Sequence, residues 1–248
     1  MRLRFRPLIT ATLAGLAIQP FCHADEAAQV TEKAKGKLIL IDDFERSESK
    51  PELEEVGGGW STNSRSRAKG VKQVDLIGGA IFIKRADVAD HGVSVVHDLE
   101  FQNAHIALRF KIGKADTLGI NIADMKEKSV HAGHICVATI RPKQIEIADL
   151  KTGRMELQRR ERRKAGKQTD ADKEQIAKTA SRKKIDCAPD VWHTLDVEIK
   201  GQTMSVRIDG KPVNEFTSPG IGHPTKRRLR LAVARQAWVD DVKVWRLK

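Results

Sequence analysis

From Lys37 onward, short apolar runs alternate with turn residues, and the apolar positions repeat every second residue rather than every 3.6. This pattern predicts strands near 38–43, 73–76, 79–84, 93–98, 104–112, 117–123, 134–141, 144–149, 192–199, 203–208, 228–234 and 238–246. Val, Ile and Leu fill these runs, and Gly, Asp, Asn or Lys separate them. The clearest stretch is "EIKGQTMSVRIDGKPVNEF". Ile199 closes one strand, Gly201 and Gln202 turn the chain, and Met204, Val206 and Ile208 share the inward face of the next. Asp209-Gly210 then makes a second tight turn. Many short strands with almost no helical periodicity predict an all-β, antiparallel sandwich or barrel across residues 37–248.

One segment breaks the pattern. "GRMELQRRERRKAGKQTDADKEQIAKTASRKK" has no aromatic residue and good helix formers after Thr169, a candidate N-cap. It lies between strand runs, so it reads as a charged insertion at about 154–184 with a short helix near 170–181. It also accounts for most of the charge. Of the formal +12, residues 154–184 contribute +7 and the first 24 residues +3, leaving only about +2 for the rest. The insertion is therefore either a patch for an anionic polymer or a solvated excursion; the lack of interleaved aromatics argues against nucleic acid.

The N-terminus "MRLRFRPLITATLAGLAIQPFCHADEAAQV" sets Arg2, Arg4 and Arg6 before an apolar run from Leu8 to Phe21, then Cys22-His23-Ala24. That order predicts a signal peptide over 1–24, a flexible polar tail over 25–36, and a secreted or periplasmic protein. The apolar run is too short for a spanning helix, so no membrane span is expected. Cleavage would leave Cys136 and Cys187, a disulfide candidate in an oxidising compartment, with two buried free thiols as the alternative.

"DVWHTLDVEIKGQTMSVRIDGKPVNEF" resembles the concanavalin A-like lectin and glucanase superfamily, through Trp192-His193 at a strand start and Asp209-Gly210 at a strand end. "GIGHPTKRRLRLAVARQAWVDDVKVW", with Asp240-Asp241, resembles that superfamily's last two strands, and "LIDDFERSES…GGGW" its opening. Within it, the chain is most similar to 3-keto-disaccharide hydrolase-like domains of secreted bacterial proteins. The resemblance implies a jelly-roll sandwich and a carbohydrate partner. Activity stays open between a carbohydrate-binding domain, a glycoside-cleaving enzyme of the 3-keto-disaccharide hydrolase type, and anionic-polymer binding through the insertion.

"HAGHICVATI" sets His131 and His134 three apart, which, if both are extended, places them on opposite faces and argues against a shared zinc ion. Ala132-Gly133 reads as a turn and His134 as the first residue of a strand whose two faces are both apolar, as expected of a central strand covered on both sides. Alternation in "HIALRFKIG" puts His105, Arg109 and Lys111 opposite Ile106, Leu108, Phe110 and Ile112, and in "TLGINIAD" it puts Asn121 opposite Leu118, Ile120 and Ile122. If those strands are neighbours, His105, Arg109, Asn121 and His134 line one polar face, a candidate sugar-binding surface or an ordinary wetted one. The Glu-x-Asp-x-x-Glu run of laminarinase-type glucanases is missing, and Glu146 and Asp149 face opposite ways. Trp192 and Trp245 read as core, with Trp60 and Trp238 the better candidates for exposure. Finally, adjacent Asp240 and Asp241 need partners. In related sandwiches a structural calcium near the termini fills this need, which would use Asp240 with Asp43 or Asp42; the alternative is an arginine such as Arg230 or Arg235.

Overall fold

The computed structural model describes residues 36–248; the signal peptide expected at 1–24 and nearly all of the tail expected at 25–36 lie outside the described residues. Two antiparallel sheets form a sandwich. The first runs in the order β13 (Lys211–Thr217), β12 (Thr203–Ile208), β11 (His193–Lys200), β6 (Asn103–Lys111), β15 (Gln236–Leu247), β4 (Ala80–Lys84) and β3 (Val74–Ile77), with β1 (Lys37–Asp42) also on β15. The second runs β10 (Ala180–Lys184), β9 (Gln144–Asp149), β8 (His134–Arg141), β7 (Leu118–Ala123), β14 (Lys226–Val233), β5 (Val93–Phe101) and β2 (Trp60–Thr62).

The inward faces follow from alternation. Ile106, Leu108 and Phe110 of β6 meet Leu118, Ile120 and Ile122 of β7 and Leu229, Leu231 and Val233 of β14 in one apolar cluster. Met204, Val206 and Ile208 join it, as their spacing predicts. Both residues of the Asp209-Gly210 turn have positive φ, 51° and 72°, the combination that a two-residue hairpin turn requires. On β15 the register slips between Asp240 and Lys243, and Asp241 takes φ 50°. The two adjacent carboxylates therefore sit on a β-bulge rather than in regular alternation.

The insertion is more ordered than its composition suggests. Helix α1 (Ser64–Arg67) lies outside it; α2 (Leu157–Lys164) and α3 (Asp170–Lys178) build it, and it ends as edge strand β10. Thr169 caps α3 in a capping box with Asp172. Asp172 is buried and takes two hydrogen bonds from Arg162, at 2.7 and 2.5 Å, which clamp the two helices together. Those bonds hold its carboxyl well below the usual range. Helix α2, with no apolar stripe, and strands β2, β10 and β13 are absent from the sequence-based expectations. β10, "ASRKK", has no inward apolar face to reveal it and is held by backbone pairing to β9.

Cys136 and Cys187 correct the disulfide expectation: both are free and both are buried. Cys136 pairs with Ile122 near the start of β8, whereas the Cys187 N–H donates to Pro142 O beyond the far end of the same strand. At the rise of a strand that separation is about 20 Å, well outside disulfide reach. Burial pushes the thiols up to about 12 for Cys136 and about 11 for Cys187. Both are expected to resist alkylation in the folded protein and to react after unfolding, as read by mass spectrometry.

Candidate functional site

The outer face of the second sheet is built by the residues that alternate with its core positions. Register places Val137 of β8 beside Asn121 of β7, and Asn121 beside Arg230 of β14. The next row, toward the other end of the strands, is Thr139, Gly119 and Ala232. A Cβ on Gly119 would stand 3.3 Å from the Ala232 Cβ, so this part of the floor stays low because the residue is glycine. At one side the insertion overlies the sheet: Met155 packs on Val137, Ala148 and Leu150. This cover explains why β8 is apolar on both faces. The result is a cleft of about 400 Å³ lined by His134, Asn121, Arg230, Thr139, Arg154 and Met155, among others.

His134 is the first residue of β8, after a turn in which Ala132 takes φ 49°. Its Nδ1 lies 3.0 Å from Asn121 Oδ1. An amide oxygen only accepts, so the ring proton sits on Nδ1 and Nε2 keeps its lone pair. The Arg230 guanidinium lies over the imidazole, with Nη1 3.1 Å from each ring nitrogen. Burial and then the Arg230 charge push the His134 pKa down to about 3, so the ring is neutral at physiological pH. Burial also lowers Arg230, to about 10, with Arg228 adding to the effect. Beside them, Arg154 and Arg182 each donate to Glu146 at 2.6 Å. Burial works against that carboxylate, but the hydrogen bond and charge of Arg154, with the charge of Arg182, keep it below the usual range.

The four residues expected on one face do not share it. Asn121 and His134 meet in the cleft, but His105 and Arg109 lie on the outer face of the first sheet, because β6 pairs with β11 and β15 whereas β7 belongs to the other sheet. There His105 Nε2 is 2.6 Å from Asp196 Oδ1 and its ring stacks on Trp245 at 5.2 Å. Arg109 donates to Asp240 Oδ2 at 3.0 Å and lies over the Trp192 ring at 4.9 Å. Trp192 and Trp238 are half-buried, and Lys111 Nζ lies over both rings. Trp60 and Trp245 are buried. Trp192, expected in the core, is thus only half-buried, whereas Trp60 belongs to the core cluster.

Asp43 and Asp240 do not fit a calcium ion. Asp240 is engaged by Arg109 from β6, an arginine distant in sequence, rather than by Arg230 or Arg235. Asp43 Oδ1 accepts the N–H of Glu45 in a local turn. Asp42, next to it, is committed to Arg46 and Trp60. No group of three or more metal-binding side chains assembles among the described residues.

Arg230 and Arg154 complete the cleft and were not among the expected site residues. Arg230 is legible in retrospect, because alternation in "RRLRLAV" sends Arg228 and Arg230 outward together. Nothing in the sequence around Arg154 foretells that the insertion folds back over the sheet.

The two antiparallel sheets form a β-sandwich of the concanavalin A-like kind. A family model described as the 3-keto-alpha-glucoside-1,2-lyase-like domain matches residues 54–244, and the chain belongs to that family. Among solved structures, it is similar to the laminarinase of Rhodothermus marinus (12% identity, TM-score 0.56, covering 85% of this chain and 97% of that one). It is also similar to the laminarinase of Flavobacterium sp. UMI-01 (13% identity, TM-score 0.54, covering 85% and 100%). A third is an endo-β-galactosidase from Clostridium perfringens (10% identity, TM-score 0.55, covering 86% and 63%). Likeness at these identities concerns the fold. No curated protein matches the chain in sequence.

Proposed function

We propose that this chain binds a carbohydrate in the cleft over β7, β8 and β14. The observation that carries this reading is the cluster of His134, Asn121 and Arg230 beside a low floor at Gly119 and Ala232. A neutral imidazole, an amide and a guanidinium present planar donors and acceptors, which suit the adjacent hydroxyls of a sugar ring. The charge states favour binding over hydrolysis by paired carboxylates. Glu146 is neutralised by two arginines, and Asp98, farther along the same face, is forked by Arg228 at 2.6 and 3.0 Å. Hydrolysis needs one carboxylic acid and one free carboxylate flanking the bond.

A second reading follows from the family: cleavage of a 3-keto-glucoside by 1,2-elimination. It is favoured by the Nε2 lone pair of His134 next to Arg230, a guanidinium suited to an enolate oxygen. Against it, a base with a pKa near 3 removes a carbon-bound proton poorly. A glycan array and an assay with 3-keto-glucosides separate the two. Saturable glycan binding that weakens about tenfold in His134→Ala, the loss of one good hydrogen bond, supports the first. Turnover of a 3-keto-glucoside, abolished in His134→Ala, replaces it with the second.

We read the N-terminus as a signal for export, so that this binding takes place outside the cytoplasm. Protein recovered from the periplasm or medium is then expected to begin at Asp25, which N-terminal sequencing checks.

A further inference from the structure

We infer that the saccharide this cleft takes is acidic, with a carboxylate or sulfate that docks on Arg230. The inference rests on the carbohydrate reading above and adds the charge of the ligand to it.

Arg228 is matched by Asp98, in two hydrogen bonds. Arg154 and Arg182 share the single carboxylate of Glu146, which leaves one positive charge over. Arg160 is paired with Glu161. Arg230 differs from all of these. Its hydrogen-bond partners are His134 and Asn121, both neutral, and among the described residues it has no ion pair. A largely desolvated guanidinium held against neutral groups is costly, and proteins ordinarily match such a charge with an anion.

The surroundings do not supply one. Burial, with the charges of Arg154, Arg160, Lys164 and Arg230, outweighs the Glu161 charge and disfavours a proton on either ring. A neutral His134 lies against the Arg230 guanidinium without competing for an anion. The cleft thus holds an excess of positive charge at the same place as its sugar-compatible hydrogen-bonding groups. A guanidinium fork suits carboxylate and sulfate oxygens alike. Hydroxyls of the same sugar ring would then reach Asn121 and Thr139.

Isothermal titration of the wild-type chain with oligogalacturonate, the same oligomer fully methyl-esterified, and a sulfated galactan oligosaccharide tests this. The two acidic arms show which anion is preferred. An acidic oligosaccharide is expected to bind at least about tenfold more tightly than the neutral ester, the worth of one charge-assisted hydrogen bond. Arg230→Gln is expected to abolish that preference while leaving the melting temperature unchanged or raised, because the replaced charge is unmatched in the free protein. Arg230→Lys, which keeps the charge but not the fork, should restore part of it. Equal binding of the ester and the acid overturns the inference and leaves the carbohydrate reading standing. No binding by any oligosaccharide overturns both. An acid preference that survives in Arg230→Gln, or a lower melting temperature in that variant, overturns the role given to Arg230.

Discussion

Asp42→Ala is expected to lower stability by about 3 kcal/mol, the cost of removing a buried carboxylate that satisfies several donors. Asp42 closes β1 and is buried, and its carboxylate accepts from Arg46 at 2.6 and 3.0 Å, from Trp60 Nε1 at 2.8 Å and from the Phe44 N–H at 2.9 Å. Alanine would leave the indole N–H without an acceptor and the guanidinium with only the Val56 carbonyl, beside a fully buried Phe44. Urea unfolding followed by Trp fluorescence reads the loss as a lower midpoint at constant slope. The same carboxylate gives the fold a pH dependence. Burial alone would raise its pKa, but the bonds from Arg46, Phe44 and Trp60 outweigh burial and hold it below the ordinary 3.8. Its stabilisation is therefore complete above the unfolded-state value and fades as pH falls through the lower, folded-state value. Asp42→Ala should flatten that acid limb of the stability curve.

The second large effect is expected at Asp149, where the insertion joins the sandwich. This buried carboxylate accepts from Thr152 N at 2.9 Å, Thr152 Oγ1 at 2.5 Å, Ser218 Oγ at 2.7 Å and Gly220 N at 2.8 Å. It ties the start of the insertion to the turn that precedes β14. Asp149→Ala leaves these donors unpaired in the interior, a loss of about 3 kcal/mol or more. Gly220→Ala tests the same junction by crowding, since its Cβ would come 2.0 Å from Asp149 Oδ1. Both variants should lower the urea midpoint. Both should also weaken saccharide binding beyond what the stability loss explains, because the loop they release carries Arg154 and Met155 into the cleft.

What could be read in advance divides along physical lines. Period-two alternation reports burial directly, so the core strands, the Asp209-Gly210 turn, the Thr169 cap and the His134 strand start were all legible. Sheet partnership was not. "HIALRFKIG" and "TLGINIAD" are consecutive strands with the same alternation, and nothing local shows that the connection between them crosses from one sheet to the other. Local alternation alone therefore allows His105 and Arg109 to join Asn121 and His134, whereas the fold puts the two pairs on opposite outer faces. Asp240 shows a similar limit: its partner Arg109 is 131 residues away in sequence, whereas local sequence offers the nearer Arg230 and Arg235. β10 and α2 carry no apolar periodicity, and their order comes from backbone pairing and ion pairs such as Arg162 with Asp172.

The central claim is that a saccharide binds on the outer face of the second sheet, around His134. The most direct test follows the histidine side-chain nitrogen resonances by NMR during titration with an oligosaccharide that the glycan array identifies, with His134→Gln and His105→Gln providing the assignments. The account predicts a saturable shift of the His134 ring resonances while those of His105, on the opposite face of the sandwich, stay in place. Saturable shifts at His105 with His134 unmoved would contradict it.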